Sequence, residues 1–154
     1  MWQQLTDAGN IPAGELLWQQ LRVQQGRPAP GHELTDDHNP LEAGLWEAIS
    51  FEKGCYIGQE TIARLNTYQG VKQQLWGLQL DGTVDPGEVI FVGDEKAGLL
   101  TSVVETPSGS RGLGYIRTKA GGAGLTVSVG AANGVVIDVP YLARGYLTTN
   151  NLPV

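Results

Sequence analysis

The sequence predicts an α+β fold that is mainly β, in which a helical arm precedes a small antiparallel barrel of six strands. Six short apolar runs follow one another between residues 71 and 139, at a spacing of roughly 10–12 residues. Turn-forming segments separate them, and the chain holds 22 glycines and 8 prolines without a collagen-like repeat. Since closure is the usual way to remove exposed strand edges, a barrel or sandwich is expected.

The helical arm is predicted between Pro12 and Gly26. Leu17, Trp18 and Leu21 recur there at three- and four-residue spacing, and proline at the start with glycine at the end is typical of a helix. Residues 26–40 contain three prolines and several Asx residues, which predict an irregular connector.

Residues 41–70 are predicted to mix both types of element. Residues 48–51 are expected to form a short strand. Residues 58–66 are expected to form about two turns of helix, with Ile62 and Leu65 on one face. The barrel strands are then predicted at Val71–Leu80, Glu88–Val92, Gly98–Glu105, Gly112–Thr118, Leu125–Val129 and Val135–Val139.

Charge and hydropathy exclude several classes of protein. A net charge of −6 disfavours a nonspecific polyanion binder. The last third is locally basic, but its four Arg and Lys residues are interpreted as a solvated face, so no strong nucleic-acid signal is present. No apolar run reaches the roughly 18–20 residues of a membrane span, and the first residues do not resemble a signal peptide.

Metal and phosphate motifs are not recognised. His32 and His38 flank Asp36 and Asp37, but this spacing in a proline-containing loop matches no usual ligand set, so no metal site is predicted. The pair Gly112 and Gly114 lacks the third glycine and helix of a dinucleotide loop.

The segment from Lys53 to Glu60, KGCYIGQE, holds the densest cluster of reactive residues. Gly54 and the later Gly58 surround the only cysteine, Cys55, and a helix is predicted to begin near Gly58. A thiol ahead of a helix N-terminus and near an ammonium favours the thiolate. The alternative is a small cysteine in a turn without chemical function. Tyr56, Gln59 and Glu60 complete the candidate site.

This segment resembles the signature of the YgfZ-type family, which comprises folate-binding proteins similar to the glycine cleavage T-protein and linked to iron–sulfur clusters. The similarity extends to Leu21-Arg22-Val23 and its following glycines and prolines, to the Asn39–Leu45 stretch NPLEAGL, and to Gly112–Ile116. True aminomethyltransferases generally lack the cysteine in this segment, so Cys55 favours the YgfZ branch.

The resemblance implies a domain arrangement. Residues 1–45 would form part of a middle domain with one helix, residues 46–70 a motif-bearing connection, residues 71–148 a barrel like the T-protein C-terminal barrel, and residues 149–154 a tail. Family members usually have three domains around a folate-binding opening, so an N-terminal domain is expected to be absent. An excised fragment, a truncated reading frame and a split protein that requires a second chain all remain open.

The function implied by the resemblance is a folate-linked accessory role in iron–sulfur cluster assembly or repair, with tetrahydrofolate as cofactor. The expected partners are iron–sulfur proteins or cluster-assembly proteins, and the expected compartment is the cytoplasm or an organellar matrix or stroma. Cys55 and Lys53 would carry the chemistry, and Arg22 and Glu42 are further candidates at the domain junction. The alternatives are a folate-dependent aminomethyltransferase and a non-catalytic barrel that binds protein or RNA.

Overall fold

Three α-helices and two short 3-10 helices accompany six strands in the computed structural model, which describes residues 1–107 and 109–146. The helices are α1 (Trp2–Asp7), α2 (Glu15–Gln25) and α3 (Gln59–Thr67), and the 3-10 helices are Trp46–Ala48 and Thr118–Ala120. No helix within these residues is long and apolar enough to cross a membrane. The tail predicted at residues 149–154 lies outside the described residues, as do residues 147 and 148 at the end of the predicted barrel.

The six strands form a closed antiparallel barrel, which confirms the predicted fold class. They are β1 (Gln73–Leu80), β2 (Val89–Val92), β3 (Glu95–Thr106), β4 (Gly109–Arg117), β5 (Thr126–Val129) and β6 (Ala132–Ile137). Their order around the barrel is β1-β4-β3-β2-β5-β6, and β6 closes the ring by pairing with β1. Every strand therefore has two hydrogen-bonded neighbours.

Three apolar clusters organise the core. The barrel interior is filled by residues of all six strands, among them Leu78, Ile90 and Leu100. A second cluster joins the barrel to α2, where Val23 packs with residues of the strands. Ile62 of α3 belongs to a third cluster outside the barrel. Buried apolar contacts thus attach α2 to the barrel directly, whereas α3 packs on the segments that precede and follow the strands.

Two glycines in β4 leave room for core side chains of other strands. A Cβ atom at Gly112 would lie 2.7 Å from a methyl group of Leu100, and one at Gly114 would lie 2.7 Å from a methyl group of Ile90. Close packing therefore explains this glycine pair, and the β3–β4 register also shifts next to it, between Leu100 and Ser102.

Two predictions about the first 70 residues are wrong. Residues 48–51 form no strand: the 3-10 helix Trp46–Ala48 stands in part of this range, and Ile49 and Phe51 pack against the third cluster rather than pairing with a strand. The segment before residue 45 contains two helices instead of one, because a short α1 precedes the predicted arm.

The face that α2 buries also differs from the pattern in the sequence. Leu17, Trp18 and Leu21 remain about half exposed, whereas Arg22 and Val23 are buried against the barrel. The apolar spacing therefore located the helix correctly but did not identify its buried side.

Candidate ligand-binding site

The residues of the KGCYIGQE segment form an exposed loop that leads into α3. Gly58 adopts a left-handed conformation with a φ of 88° and is the N-cap of the helix. The backbone N–H of Tyr56 donates a hydrogen bond to the side-chain oxygen of Gln59 (3.3 Å), and the Gln59 N–H donates to the Tyr56 carbonyl (3.2 Å). These two bonds hold the turn in which the motif lies.

Within this loop the Cys55 side chain is exposed. The Lys53 ammonium lies 4.8 Å from the centre of the Tyr56 ring, which is a cation–π distance. Glu60 is exposed in the first turn of α3, where a carboxylate favours the helix N-terminus. The structure thus brings together the cysteine, the ammonium and the phenol on one surface loop.

The structure places Arg22 in a buried network instead of in this loop. Its guanidinium forms an ion pair with Glu33 at 3.1 Å, and both side chains are almost fully buried. It also donates to the Ser102 hydroxyl at 2.8 Å, and Thr101 donates to Glu33 at 2.8 Å. Since each charge has several hydrogen-bond partners, Arg22 fastens α2 and the connector to β3.

Glu42 belongs to a turn that is tied to the barrel. The side-chain oxygen of Asn39 accepts hydrogen bonds from the N–H groups of Leu41 and Glu42, and the Asn39 N–H donates to the Glu42 carboxylate at 3.1 Å. The Glu42 carbonyl in turn accepts from the Leu75 N–H at 2.8 Å. This arrangement fixes the carboxylate at the start of β1.

A cleft of about 640 Å³ opens beside this carboxylate and is called the Glu42 cleft below. It is lined by residues of the turn, of the start of β1 and of the end of β4 with the following 3-10 helix: Glu42, Lys72, Gln73, Arg117, Thr118 and Lys119. The backbone N–H of Thr118 donates to the Lys72 carbonyl at 2.8 Å, so the segment before β1 and the segment after β4 are joined. Three cationic side chains therefore surround one carboxylate in a preformed cleft.

The cationic side chains of this cleft form no ion pairs within the part of the chain that the structure describes. Within residues 1–107 and 109–146, no acidic side chain lies within ion-pair distance of Lys72, Arg117 or Lys119. Such a cleft can bind an anionic group through the cations while Glu42 accepts hydrogen bonds from an adjacent donor.

His38 and Tyr115 lie behind the Glu42 cleft. Their rings stack at 3.7 Å between centroids, and His38 Nδ1 lies 3.2 Å from the side-chain nitrogen of Gln73, which lines the cleft. The Tyr115 hydroxyl donates to the Glu33 carbonyl at 2.8 Å. Burial, and then the charges of Glu33 and Glu42, raise the pKa of this phenol well above its usual range. Two hydrogen bonds and one ring stack therefore connect the buried network to the wall of the cleft.

Sequence reasoning identified Glu42 and Arg22 but missed their surroundings. Lys72, Arg117 and Lys119 are far apart in the chain, and only the β1–β4 pairing, in which Gln73 faces Arg117, brings them together. Glu33 lies within the irregular connector, and no pattern in the sequence marks it as buried, so its pairing with Arg22 was missed.

His32 and His38 are not brought into a common site. His32 is exposed, whereas His38 is half-buried against Tyr115. Among the described residues, no group of three or more potential metal-ligating side chains is present.

The chain is similar to proteins that are named as transferases. The chain is 51% identical over 154 residues to a chloroplastic protein of Arabidopsis thaliana that carries the name "Putative transferase", with 98% of this chain and 36% of that protein covered. It is 34% identical over 116 residues to an aminomethyltransferase of Synechococcus elongatus, with 73% of this chain and 31% of that enzyme covered. It is 31% identical over 154 residues to an aminomethyltransferase of Symbiobacterium thermophilum, with coverages of 92% and 41%.

The chain spans between about a third and two fifths of the length of these relatives. The crystal structure of the glycine cleavage system aminomethyltransferase T of Bartonella henselae superposes with a TM-score of 0.70 at 22% identity, over 84% of this chain and 39% of that chain. This similarity shows the fold, which matches a T-protein C-terminal barrel. No protein-family model matches the sequence.

Proposed function

Since the chain belongs to the glycine cleavage T-protein/aminomethyltransferase-like superfamily, we propose that it is the barrel-bearing part of a folate-dependent one-carbon transferase of aminomethyltransferase type. The observation that carries the proposal is the Glu42 cleft, in which three cations surround one carboxylate. The chloroplastic relative supports an organellar stroma as the compartment.

The chemistry of the cleft fits a folate. A folate ends in a glutamate whose carboxylates are anionic, and Lys72, Arg117 and Lys119 supply cations that are free of ion pairs within the described residues. The amide that joins this glutamate to the aromatic ring carries an N–H group, which can donate a hydrogen bond to a carboxylate such as Glu42. A volume of about 640 Å³ lies within the usual range of small-molecule sites.

Tetrahydrofolate supplies the nitrogen atoms that accept the one-carbon unit when it is bound. The residues of this chain would bind and orient it. Lys72 and Lys119 would hold the anionic end, and the bond from Asn39 would keep the Glu42 carboxylate directed at a fixed position. Gln73, held by His38, would form the wall between them.

The test is calorimetric titration of tetrahydrofolate into this chain and into a longer form that includes the preceding region of a full-length relative. We expect the double variant K72M/K119M to weaken binding at least about tenfold, because two charge-assisted contacts are lost. The variant K96M removes an exposed lysine outside the cleft and should leave affinity within about twofold. Absence of binding by both forms, or equal binding by K72M/K119M, would contradict the proposal.

A second candidate function is the accessory role in iron–sulfur cluster assembly or repair. The exposed Cys55 on a turn held by Gln59 and flanked by Lys53 favours it, since thiolates ligate and transfer iron and sulfur species. Iodoacetamide should then alkylate Cys55 faster than a free model thiol at neutral pH. The variant C55S should abolish support of an iron–sulfur enzyme in a depleted strain, whereas S128A, a change in β5 outside this loop, should retain it.

A further inference from the structure

A second cleft lies where α2, the connector and the segment after β6 meet. Trp18 of α2, Arg27 and Pro30 of the connector, and Tyr141 line it, and its volume is about 350 Å³. This volume is at the lower end of the range for small-molecule sites. The cleft shares no lining residue with the Glu42 cleft and is called the Arg27 cleft below.

The Arg27 guanidinium lies between two aromatic rings. Its central carbon is 5.6 Å from the centroid of the Trp18 ring and 5.6 Å from the centroid of the Tyr141 ring. Each ring is 47% exposed. No acidic side chain among the residues described lies within ion-pair distance of Arg27. The cleft therefore presents a cation without an anionic partner, together with two flat apolar faces.

The backbone that carries these side chains is held in place. The Arg27 N–H donates to the Arg22 carbonyl at 2.7 Å, beside Gly26, which ends α2 with a φ of 80°. The Tyr141 N–H donates to the Gln25 carbonyl at 2.8 Å. A ligand would thus meet side chains on a prearranged backbone, which reduces the entropic cost of binding.

The remaining lining is largely apolar, with Pro28, Leu34 and Leu45, and it also includes Arg22, whose charge is paired with the buried Glu33. A largely apolar surface on which Arg27 is the cation without an ion pair among the described residues favours a ligand that is apolar over most of its area and anionic at one end. A long polyanion is disfavoured, since the cleft offers it no row of cations.

We propose that the Arg27 cleft binds a small ligand in which a carboxylate is attached to a flat aromatic ring. The planar guanidinium of Arg27 matches the geometry of a carboxylate and forms two parallel hydrogen bonds with it. The ring of the ligand packs against Trp18 or Tyr141, for which offset or edge-to-face stacking is favourable. This site lies outside the cleft that carries the proposed function.

The proposal is tested with naphthoate as the anionic probe and naphthalenemethanol as its neutral counterpart, each titrated into the whole chain. The chain has four tryptophans, so the indole N–H signal of Trp18 can be assigned with the variant W18F and followed by NMR. We expect naphthoate to shift this signal in a saturable manner and naphthalenemethanol to bind at least about tenfold more weakly.

The variant R27M keeps an apolar stem and removes the charge, so it should weaken naphthoate binding at least about tenfold. The control R64M makes the same change at an exposed arginine of α3 and should bind like the wild type. Equal melting temperatures would show that both variants are folded. Equal affinity of R27M and wild type, equal affinity for the two probes, or no saturable shift would each overturn the proposal. Tetrahydrofolate binding should be unchanged in R27M, which separates this site from the Glu42 cleft.

Discussion

Arg22 and Glu33 are the charged pair on which the attachment of α2 depends. Both are buried, and hydroxyl groups of Thr101 and Ser102 satisfy the carboxylate and the guanidinium further. If one of the two charges were removed, the other would stay buried without a counter-charge and without hydration by water. The pair therefore stabilises one arrangement of helix, connector and strand, and it explains why an arginine occupies the buried face of α2.

Removing one member of the Arg22–Glu33 pair should destabilise the folded state. We expect R22M to lower the free energy of unfolding by about 3–5 kcal/mol, because Glu33 is left buried without its counter-charge. The double variant R22M/E33L removes both charges and should recover much of this loss. Urea denaturation of the three proteins measures the effect. A single variant within about 1 kcal/mol of the wild type would show that the pair contributes little.

Tyr115 makes stability sensitive to alkaline pH. Its raised pKa in the folded state means that unfolding releases a more acidic phenol, so its contribution is fully present below the unfolded pKa of about 10 and is lost as the pH rises above it. Burial is the main cause, followed by Glu33 and Glu42.

The melting temperature of the wild type should therefore fall more steeply above about pH 10 than that of Y115F, which cannot ionise at this position. At neutral pH, Y115F should be less stable by about 1–2 kcal/mol, because the hydrogen bond to the Glu33 carbonyl is lost. Parallel pH profiles for the two proteins would argue against this role of Tyr115.

At the scale of the element, β3 and β4 depend on a glycine. A Cβ atom at Gly98 would lie 2.0 Å from the carbonyl oxygen of Tyr115, and this neighbour is backbone. We expect G98A to lower the free energy of unfolding by more than about 2 kcal/mol, since the strands must separate locally. The matched change G54A meets no atom within 4 Å and should alter it by less than about 0.5 kcal/mol. Denaturation curves compare the two variants.

The strands were predictable because each is a short apolar run between turn-forming residues. β3 nevertheless begins at Glu95 instead of Gly98, since pairing with β2 extends it through a polar start. The segment from Ala48 to Phe51 has the composition of a strand but no partner, and its apolar side chains pack on Trp46 instead. A composition typical of a strand is therefore not sufficient. The segment forms a strand only where a neighbouring strand supplies hydrogen bonds.

At the scale of the whole molecule, the barrel and α2 form the stable unit, whereas α1 contributes no buried residue. Deleting residues 1–9 should therefore leave the melting temperature within about 2 °C of the wild type. Deleting residues 1–25 removes Arg22 and Val23 and should lower it by more than about 10 °C, because Glu33 is left buried without its counter-charge. Calorimetry of both truncations checks this, and a large effect of the shorter deletion would contradict it.

The candidate site was only partly predictable, because part of it is assembled by the fold of the whole molecule. The KGCYIGQE loop is continuous in sequence, so its residues were identifiable together and remain predicted site residues. The Glu42 cleft depends on a turn before β1 and on the end of β4, whose adjacency arises only when the ring of strands closes. A cluster assembled by long-range pairing leaves no local pattern of spacing.

The ring of strands also determines how the chain should respond to a pulling force. β1 is hydrogen-bonded on both sides, to β4 and to β6, so traction along it loads two backbone ladders in parallel. Traction on α2 loads only side-chain contacts and the few backbone bonds at its end. Under tension applied near Glu15, α2 should therefore detach at a lower force than the force that opens the barrel, so that the molecule extends in two steps.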